Sequence, residues 1–410
     1  MATHRESAVR GPDRAPLALL LLGTLAVHVI VFLNRPAASY RVLALGGDEV
    51  AVGLVAAASA LLPIFLAIPM GRWSDRGHAS VLLIGGGLAI GCGSVLLAHS
   101  GSLVSMALFN AVLGVGQLAL MIATQAVVAG LSRPGEHDRN FGLFTAAASL
   151  GQLFGPLIGG GVISRFQREG MLTATSHAFW VAAAIALLVV LFFGLMTVTL
   201  RHTCVPAPSS LGTTEQAGRG SALALLGNRA LSVAICVSFA VMATVDLLIT
   251  YLPVLGERYG LSPSVVGALL AVRAGFSFIS RLLIPVLMNW AGRLRVLVVS
   301  SAIAAFGVLG LVAFSAPLIL FIVMVVLGLV LGLGQPLTMT WVVQEAPQQL
   351  RATALALRIT GNRVAQTAGP AAAGGLSTLI GIAGPFLLMA ALLAGSALSV
   401  VPYLRREPSR

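Results

Sequence analysis

Gly151-Gln152-Leu153-Phe154-Gly155-Pro156-Leu157-Ile158-Gly159-Gly160 lies inside an apolar stretch, and its Gly155-Pro156 step returns 214 residues later as Gly369-Pro370, followed by Ala371-Ala372-Ala373-Gly374-Gly375. Proline lacks a backbone donor and bends a helix that contains it. Glycines four residues apart share one helix face, where they let a second helix approach closely in a solvent that gives no hydrophobic push. The stretch therefore predicts a bent, closely packed helix at an interface between two halves. Its return predicts the same device twice. Other landmarks agree: a shift of 214 lays Val266-Gly267 on Val52-Gly53 and Gln366 on Gln152, and a shift of 218 lays Gly332-Leu333-Gly334-Gln335 on Gly114-Val115-Gly116-Gln117.

The solvent is set by composition. Of 410 residues, 58% are apolar and 9% charged, against about 25% charged in soluble domains. Stretches of about twenty apolar residues cross a bilayer as helices. Twelve such spans lie near 17–44, 50–71, 80–99, 102–131, 140–163, 178–200, 230–254, 264–288, 294–314, 317–344, 352–378 and 384–404. The apolar run after the basic residues 1–14 is too long for a signal peptide and lacks a small-residue cleavage site, so it is expected to stay as an anchor. The longest polar break, Arg201 to Arg229, is rich in proline, glycine, serine and threonine and predicts a cytoplasmic linker. The expected organisation is a six-helix half over 1–200, a linker over 201–229 and a second half over 230–410.

All 25 basic residues are arginine, and the net charge is +12. They are scattered singly between apolar runs, which excludes the clustered basic face that nucleic acid requires. Placing the N-terminus inside puts sixteen arginines in inner segments and only Arg41, Arg165, Arg168 and Arg258 in outer ones. This bias predicts a multi-pass protein of the cytoplasmic membrane with both termini in the cytoplasm. The three cysteines are too few and too widely spaced for a disulfide framework or a zinc site. Neither metal nor cofactor is expected.

Duplication, linker and shared orientation are the plan of a transporter rocking about a site between its halves. Over essentially its whole length the chain resembles the major facilitator superfamily. Gly71-Arg72-Trp73-Ser74-Asp75-Arg76-Gly77 resembles the family's loop motif of glycine, a variable residue, leucine, a small residue, aspartate and arginine. The resemblance implies a conformational latch at Gly71, Asp75 and Arg76. Gly71 would admit a neighbouring helix, and Asp75 would meet an arginine or a helix N-terminus. Trp73 departs from the leucine, and Ala79-Ser80 replace two basic residues. The stretch from Gly151 to Gly160 is similar to the GxxxGPxxGG pattern of the family's proton-coupled drug exporters. Those exporters often carry an arginine in the fourth span, four residues before a glycine. Asn110 holds that position here, followed by Gly114 and Gly116, so the resemblance does not supply that proton route.

An ionisable side chain at bilayer depth costs at least about 2.5–3.5 kcal/mol, so it usually faces the bundle interior and has a partner or a task. Arg35, Asp246 and Arg273 all fall roughly 12–14 Å below the outer surface at about 1.5 Å per residue, which predicts one shared polar layer. Pro36 is expected to end or kink the first span beside Arg35. Asp246 has two readings: a structural ion pair with Arg273, or a carboxylate that exchanges a proton between conformations. Arg281 and Arg358 read as snorkelling to the surface, whereas Arg363, near Asn362 and Gln366, is too deep for that and would line a cavity. His28 either titrates or bonds a neighbour on its helix. Asn110, Gln117 and Gln335 give the fourth and tenth spans polar stripes, which also serve as interhelical glue. Trp341 is either a cavity wall or lid, or an interfacial anchor.

The expectation is an all-α membrane protein of twelve transmembrane helices in two pseudo-symmetric halves, working as a monomer in the lipid bilayer. It would move a small-molecule substrate by alternating access. Proton-coupled efflux, with the proton gradient as driving force, is the first reading. Proton-coupled uptake of a small anion is the second, and a non-transporting sensor or scaffold the alternative from another class. No Ser-His-Asp arrangement or phosphate loop points to an enzyme.

Overall fold

The computed structural model describes residues 15–132, 136–202, 225 and 227–406. They form helices α1 (Ala15–Ala44), α2 (Glu49–Trp73), α3 (Ala79–Ala98), α4 (Leu103–Leu131), α5 (His137–Phe166), α6 (Met171–His202), α7 (Arg229–Arg258), α8 (Pro263–Leu282), α9 (Arg293–Ala313), α10 (Pro317–Glu345), α11 (Arg351–Ile380) and α12 (Ala383–Val400). Ten runs among the described residues are long and apolar enough to cross a bilayer, and one of them, Glu49–Ala98, contains both α2 and α3. α11 is missing from these runs; its first half carries Arg351, Arg358, Asn362, Arg363 and Gln366. Most of the expected linker, 203–224, and the terminal arginines Arg5, Arg10, Arg14 and Arg410 lie outside the described residues.

Helix starts follow local chemistry. Asp48 accepts the Ala51 N–H at 2.9 Å to begin α2, Ser102 and Ser105 form a reciprocal box at α4, and Asn228 accepts from Ala230 and Leu231 at α7. Between α2 and α3 the backbone turns through Gly77 at φ 88, a left-handed conformation that a Cβ would strain. The span expected over 264–288 breaks at Leu283, because Pro285 has no N–H to give; the short helix Ile284–Ala291 follows. The expected helix end at Arg35 is not found. α1 continues through a buried Pro36 to Ala44, and the Arg35 carbonyl accepts from the Ser39 hydroxyl.

Packing repeats by a simple rule. α1 lies on α5 and α6, α3 on α4 and α6, and α2 on α4; correspondingly α7 lies on α11 and α12, α9 on α10 and α12, and α8 on α10. Adding six to each helix number converts one set into the other, as a rotation relating two halves requires. The fold is all-α, with twelve transmembrane helices in two pseudo-symmetric six-helix halves. The halves meet at α5 on α8, α2 on α11 and α1 on α7.

The glycine–proline motif has two faces. Gly151, Gly155 and Gly159 pack on α1 within their own half, where added Cβ atoms would lie 2.5 Å from His28 Cβ, 2.7 Å from the Val29 carbonyl oxygen and 3.1 Å from Leu33 Cγ. Pro156 and Gly160 face the other half: a Cβ on Gly267 would fall 2.2 Å from the Pro156 oxygen, beside Gly160 Cα at 3.3 Å. The counterpart crossing repeats this 214 residues apart, with a Cβ on Gly53 falling 2.4 Å from the Pro370 oxygen and 3.2 Å from Gly374 Cα. The expectation that the whole motif serves the interface is therefore corrected. A four-residue glycine row and the row one step beyond it point in different directions around the helix.

Candidate functional site

Between the halves lies a cavity whose empty space amounts to ≈ 680 Å³, solvent at its mouth included. It is lined by Arg35 from α1, Asn110 and Gln117 from α4, Asp246 from α7, and Arg363 and Gln366 from α11. Arg35 Nη1 donates to Asp246 Oδ1 at 2.6 Å, a bond between halves, and the two side chains are 25% and 7% exposed. The Arg35 guanidinium also lies 5.8 Å from the centre of the Phe32 ring, a cation–π arrangement. Asp246 Oδ2 is buried with no hydrogen-bond partner.

One turn beyond, the Ser39 hydroxyl donates to the Thr250 carbonyl at 2.8 Å. Tyr251 donates from the α2–α11 crossing to the Glu49 and Pro370 carbonyls, each at 3.2 Å, and the Ser264 N–H reaches Ser164 Oγ at 2.8 Å. These contacts close the end of the bundle that carries the α1–α2 turn. At the opposite end Gly71 has nothing within 4 Å of its Cβ direction, and Asp75 and Arg76 are exposed. The expected contact of Gly71 with a neighbouring helix is thus absent. Residues 74–78 pack mainly on α2, α3 and α4 of their own half.

The other candidates separate. Arg273 is 3% exposed but lies behind the cavity; its Nε has no partner. The expected ion pair of Asp246 with Arg273 is corrected to one with Arg35, because the α1–α7 crossing brings Arg35 to the carboxylate first. Gln335 belongs to a cluster inside the second half, where its Oε1 accepts from Arg358 at 2.6 Å and Asn362 at 3.1 Å, and its Nε2 donates to the Ser238 carbonyl at 2.9 Å. Arg358 is buried at 6% exposure, so its expected snorkelling is also corrected: the polar face of α10 holds it inward. Arg363 donates to Gln366 at 3.0 Å and reaches the Met121 sulphur across the halves. Asn110 donates to the Val55 carbonyl at 2.8 Å and fastens α4 to α2.

His28 bonds the Thr24 carbonyl of its own helix at 2.9 Å. Trp341 is 3% exposed, stands edge-on to Tyr403 and donates to Glu345 at 3.3 Å. It packs inside the second half near the end of α10 and does not line the cavity between the halves, so the wall or lid reading is corrected. Tyr251, Ser39 and Thr250 were not singled out in the sequence. The available signal was general: a tyrosine hydroxyl in an apolar span needs a partner.

Compared with known families, residues 20–357 and, overlapping them, 292–410 match the Major Facilitator Superfamily. No curated protein matches significantly by sequence. Solved structures match over nearly the whole chain. The nucleoside transporter NupG aligns with TM-score 0.76 at 15% identity, over 96% of this chain and 100% of that one. A bacterial homolog of the human lysosomal transporter Spinster, inward-facing and unoccupied, aligns with TM-score 0.70 at 16% identity, over 97% and 96%. The peptide transporter POT in complex with sulfate aligns with TM-score 0.72 at 16% identity, over 97% and 96%.

Proposed function

From the premise that this chain belongs to the major facilitator superfamily, we propose that it is a proton-linked secondary transporter of a small organic solute, with Asp246 as the proton-exchanging group. One observation carries this reading: the single acid of the cavity is paired across the halves with Arg35 at the closed neck. Protonating Asp246 removes the charge that holds α1 to α7. Conversely, parting the helices exposes the carboxylate to water. Proton binding and the opening of that end are then one event, which is the requirement for coupling. With the arginine bias placing the α2–α3 end in the cytoplasm, the present state faces inward. The chain divides into halves 1–200 and 230–410 joined by 201–229, and the Gly71, Asp75 and Arg76 latch engages only when the cytoplasmic end closes.

For direction, we propose that uptake fits the cavity better than efflux. Arg35 and Arg363 against Asp246 leave one uncompensated positive charge in the cavity lining, which an anionic solute neutralises while the Arg35–Asp246 pair responds to the proton. Efflux is the second reading and rests on the resemblance of residues 151–160 to exporters. In proteoliposomes with an imposed pH gradient, a panel of radiolabelled anions and drugs should include one solute driven uphill, with a proton flux of matching sign. A full panel with no gradient-driven solute would overturn the transport reading, and the sign of the flux decides between uptake and efflux.

A further inference from the structure

A second chamber adjoins the cavity inside the first half, with ≈ 510 Å³ of empty space, open solvent included, between α1, α4 and α5. Its apolar walls are Val27, Val31, Leu120, Met121 and Phe144. Of its five polar side chains, Thr24, His28 and Thr124 bond carbonyls of their own helices, and Gln117 and Gln125 add two amides. The Thr24 hydroxyl donates to the Leu20 carbonyl at 2.8 Å, His28 bonds the Thr24 carbonyl, and the Thr124 hydroxyl donates to the Leu120 carbonyl at 2.6 Å. What such walls offer is mainly apolar surface. Gln117 lines both this chamber and the central cavity. The boundary is also where Arg363 reaches Met121 from the opposite half. Among the described residues Arg363 has glutamine and sulphur as side-chain partners and no ion pair, so a cation without an acid in direct contact stands between the cavity and the chamber.

We propose that the two spaces form one bipartite binding site for an amphipathic monoanion, its anionic group on Arg363 and its hydrocarbon part in the chamber between α1, α4 and α5. The charge fits, since one anion neutralises the cavity while Arg35 keeps Asp246. So does the division of labour common in small-molecule sites, where a few polar groups orient a ligand whose bulk lies on apolar walls. Guanidinium presents a planar fork that a carboxylate matches with two bonds. This inference rests on the transport reading for its purpose, and it names the class of solute.

The test measures binding, independently of flux. Purified protein in phosphatidylcholine nanodiscs is titrated with straight-chain monocarboxylates of increasing length and with the matching alcohols, followed by thermal stabilisation. Each added methylene should tighten binding about fourfold until the chamber is full, and carboxylates should bind more tightly than alcohols. Arg363→Gln should abolish the carboxylate preference and leave the length dependence; Arg363→Lys should restore part of the preference. Phe144→Ala should move the preferred length upward. A second arm in nanodiscs containing phosphatidylglycerol separates the sources of such an anion: an unchanged series marks a free solute, a weakened one marks a competing lipid. A flat length series, or an Arg363→Gln protein with the original preference, would overturn the proposal. Graded binding without gradient-driven flux would sink the transport reading and keep the site, whereas flux without graded binding would do the reverse.

Discussion

Arg35 and Asp246 stand 211 positions apart in the chain and 2.6 Å apart in space, and removing either leaves the other charged in a low-dielectric neck. Truncating one partner of a buried pair costs about 3–5 kcal/mol. Arg35 retains some contact with the cavity, so Asp246→Asn should cost toward the lower end of that range in unfolding experiments. Pairing it with Arg35→Gln should recover part of the loss. In transport assays Asp246→Asn should abolish uphill movement and leave downhill exchange. Unchanged uphill transport would remove Asp246 from the coupling step. Arg41 is a contrasting arginine. Buried at the closed end, it donates to the Ser100, Ala98 and Leu172 carbonyls and to the Thr175 and Ser176 hydroxyls, tying α1 to the final carbonyls of α3 and the start of α6. The ammonium of Arg41→Lys cannot reproduce that fork. The substitution should lower stability by about 1–3 kcal/mol through unpaired carbonyls; a melting temperature equal to the parent's would contradict this role.

At the scale of helices, stability in the membrane comes from close approach, since lipid tails are as apolar as leucine. The two crossings between halves place the Pro156 and Pro370 oxygens against Gly267 and Gly53, a geometry suited to Cα–H···O contacts. Alanine at Gly53 or Gly267 puts a methyl where a backbone oxygen stands, which cannot yield as a flexible side chain does. Each change should cost about 1–3 kcal/mol. It should also shift the population toward the conformer open at the α1–α2 end, read as increased labelling of a cysteine placed at Ser39. Gly161 and Gly375 have open space beside them, so alanine there should be neutral to mildly stabilising through helix propensity. Equal effects at all four positions would refute the crossing argument. The ends of the helices are tied in parallel ways in the two halves. Arg41 bonds the carbonyls ending α3, while Tyr259 donates to the Leu311 and Val312 carbonyls at the end of α9.

For the whole molecule, alternating access requires the closed end to open. Ser164 and Ser264 meet across the α5–α8 crossing at that end. With Cys92, Cys204 and Cys236 replaced, joining Ser164→Cys to Ser264→Cys with a short cleavable cross-linker should stop turnover, and cleavage should restore it. Undiminished flux in the cross-linked protein would mean that this end stays shut throughout the cycle. Charge acts at the same scale. The second half holds Arg273, Arg281, Arg358 and Arg363 at membrane depth, with Asp246 as the one acid well inside its spans, so that half carries a net positive field at this depth.

Apolar runs, a duplicated glycine–proline step and the arginine bias specify twelve spans and two related halves, because hydropathy and helix length are properties of the chain itself. The offset of 214 even marked the glycines that meet at both crossings. Which ionisable groups would share a neck was partly legible as a common depth. Depth fixes only one coordinate, however, and the rotation of each helix and its neighbours fix the other two. Packing alone therefore gave Asp246 to Arg35 instead of Arg273, enclosed Trp341 and Arg358, and turned three glycines of one motif toward α1. The apolar chamber beside Gln117 likewise left no trace in the sequence, since an empty space is bounded by side chains from three helices and belongs to none of them.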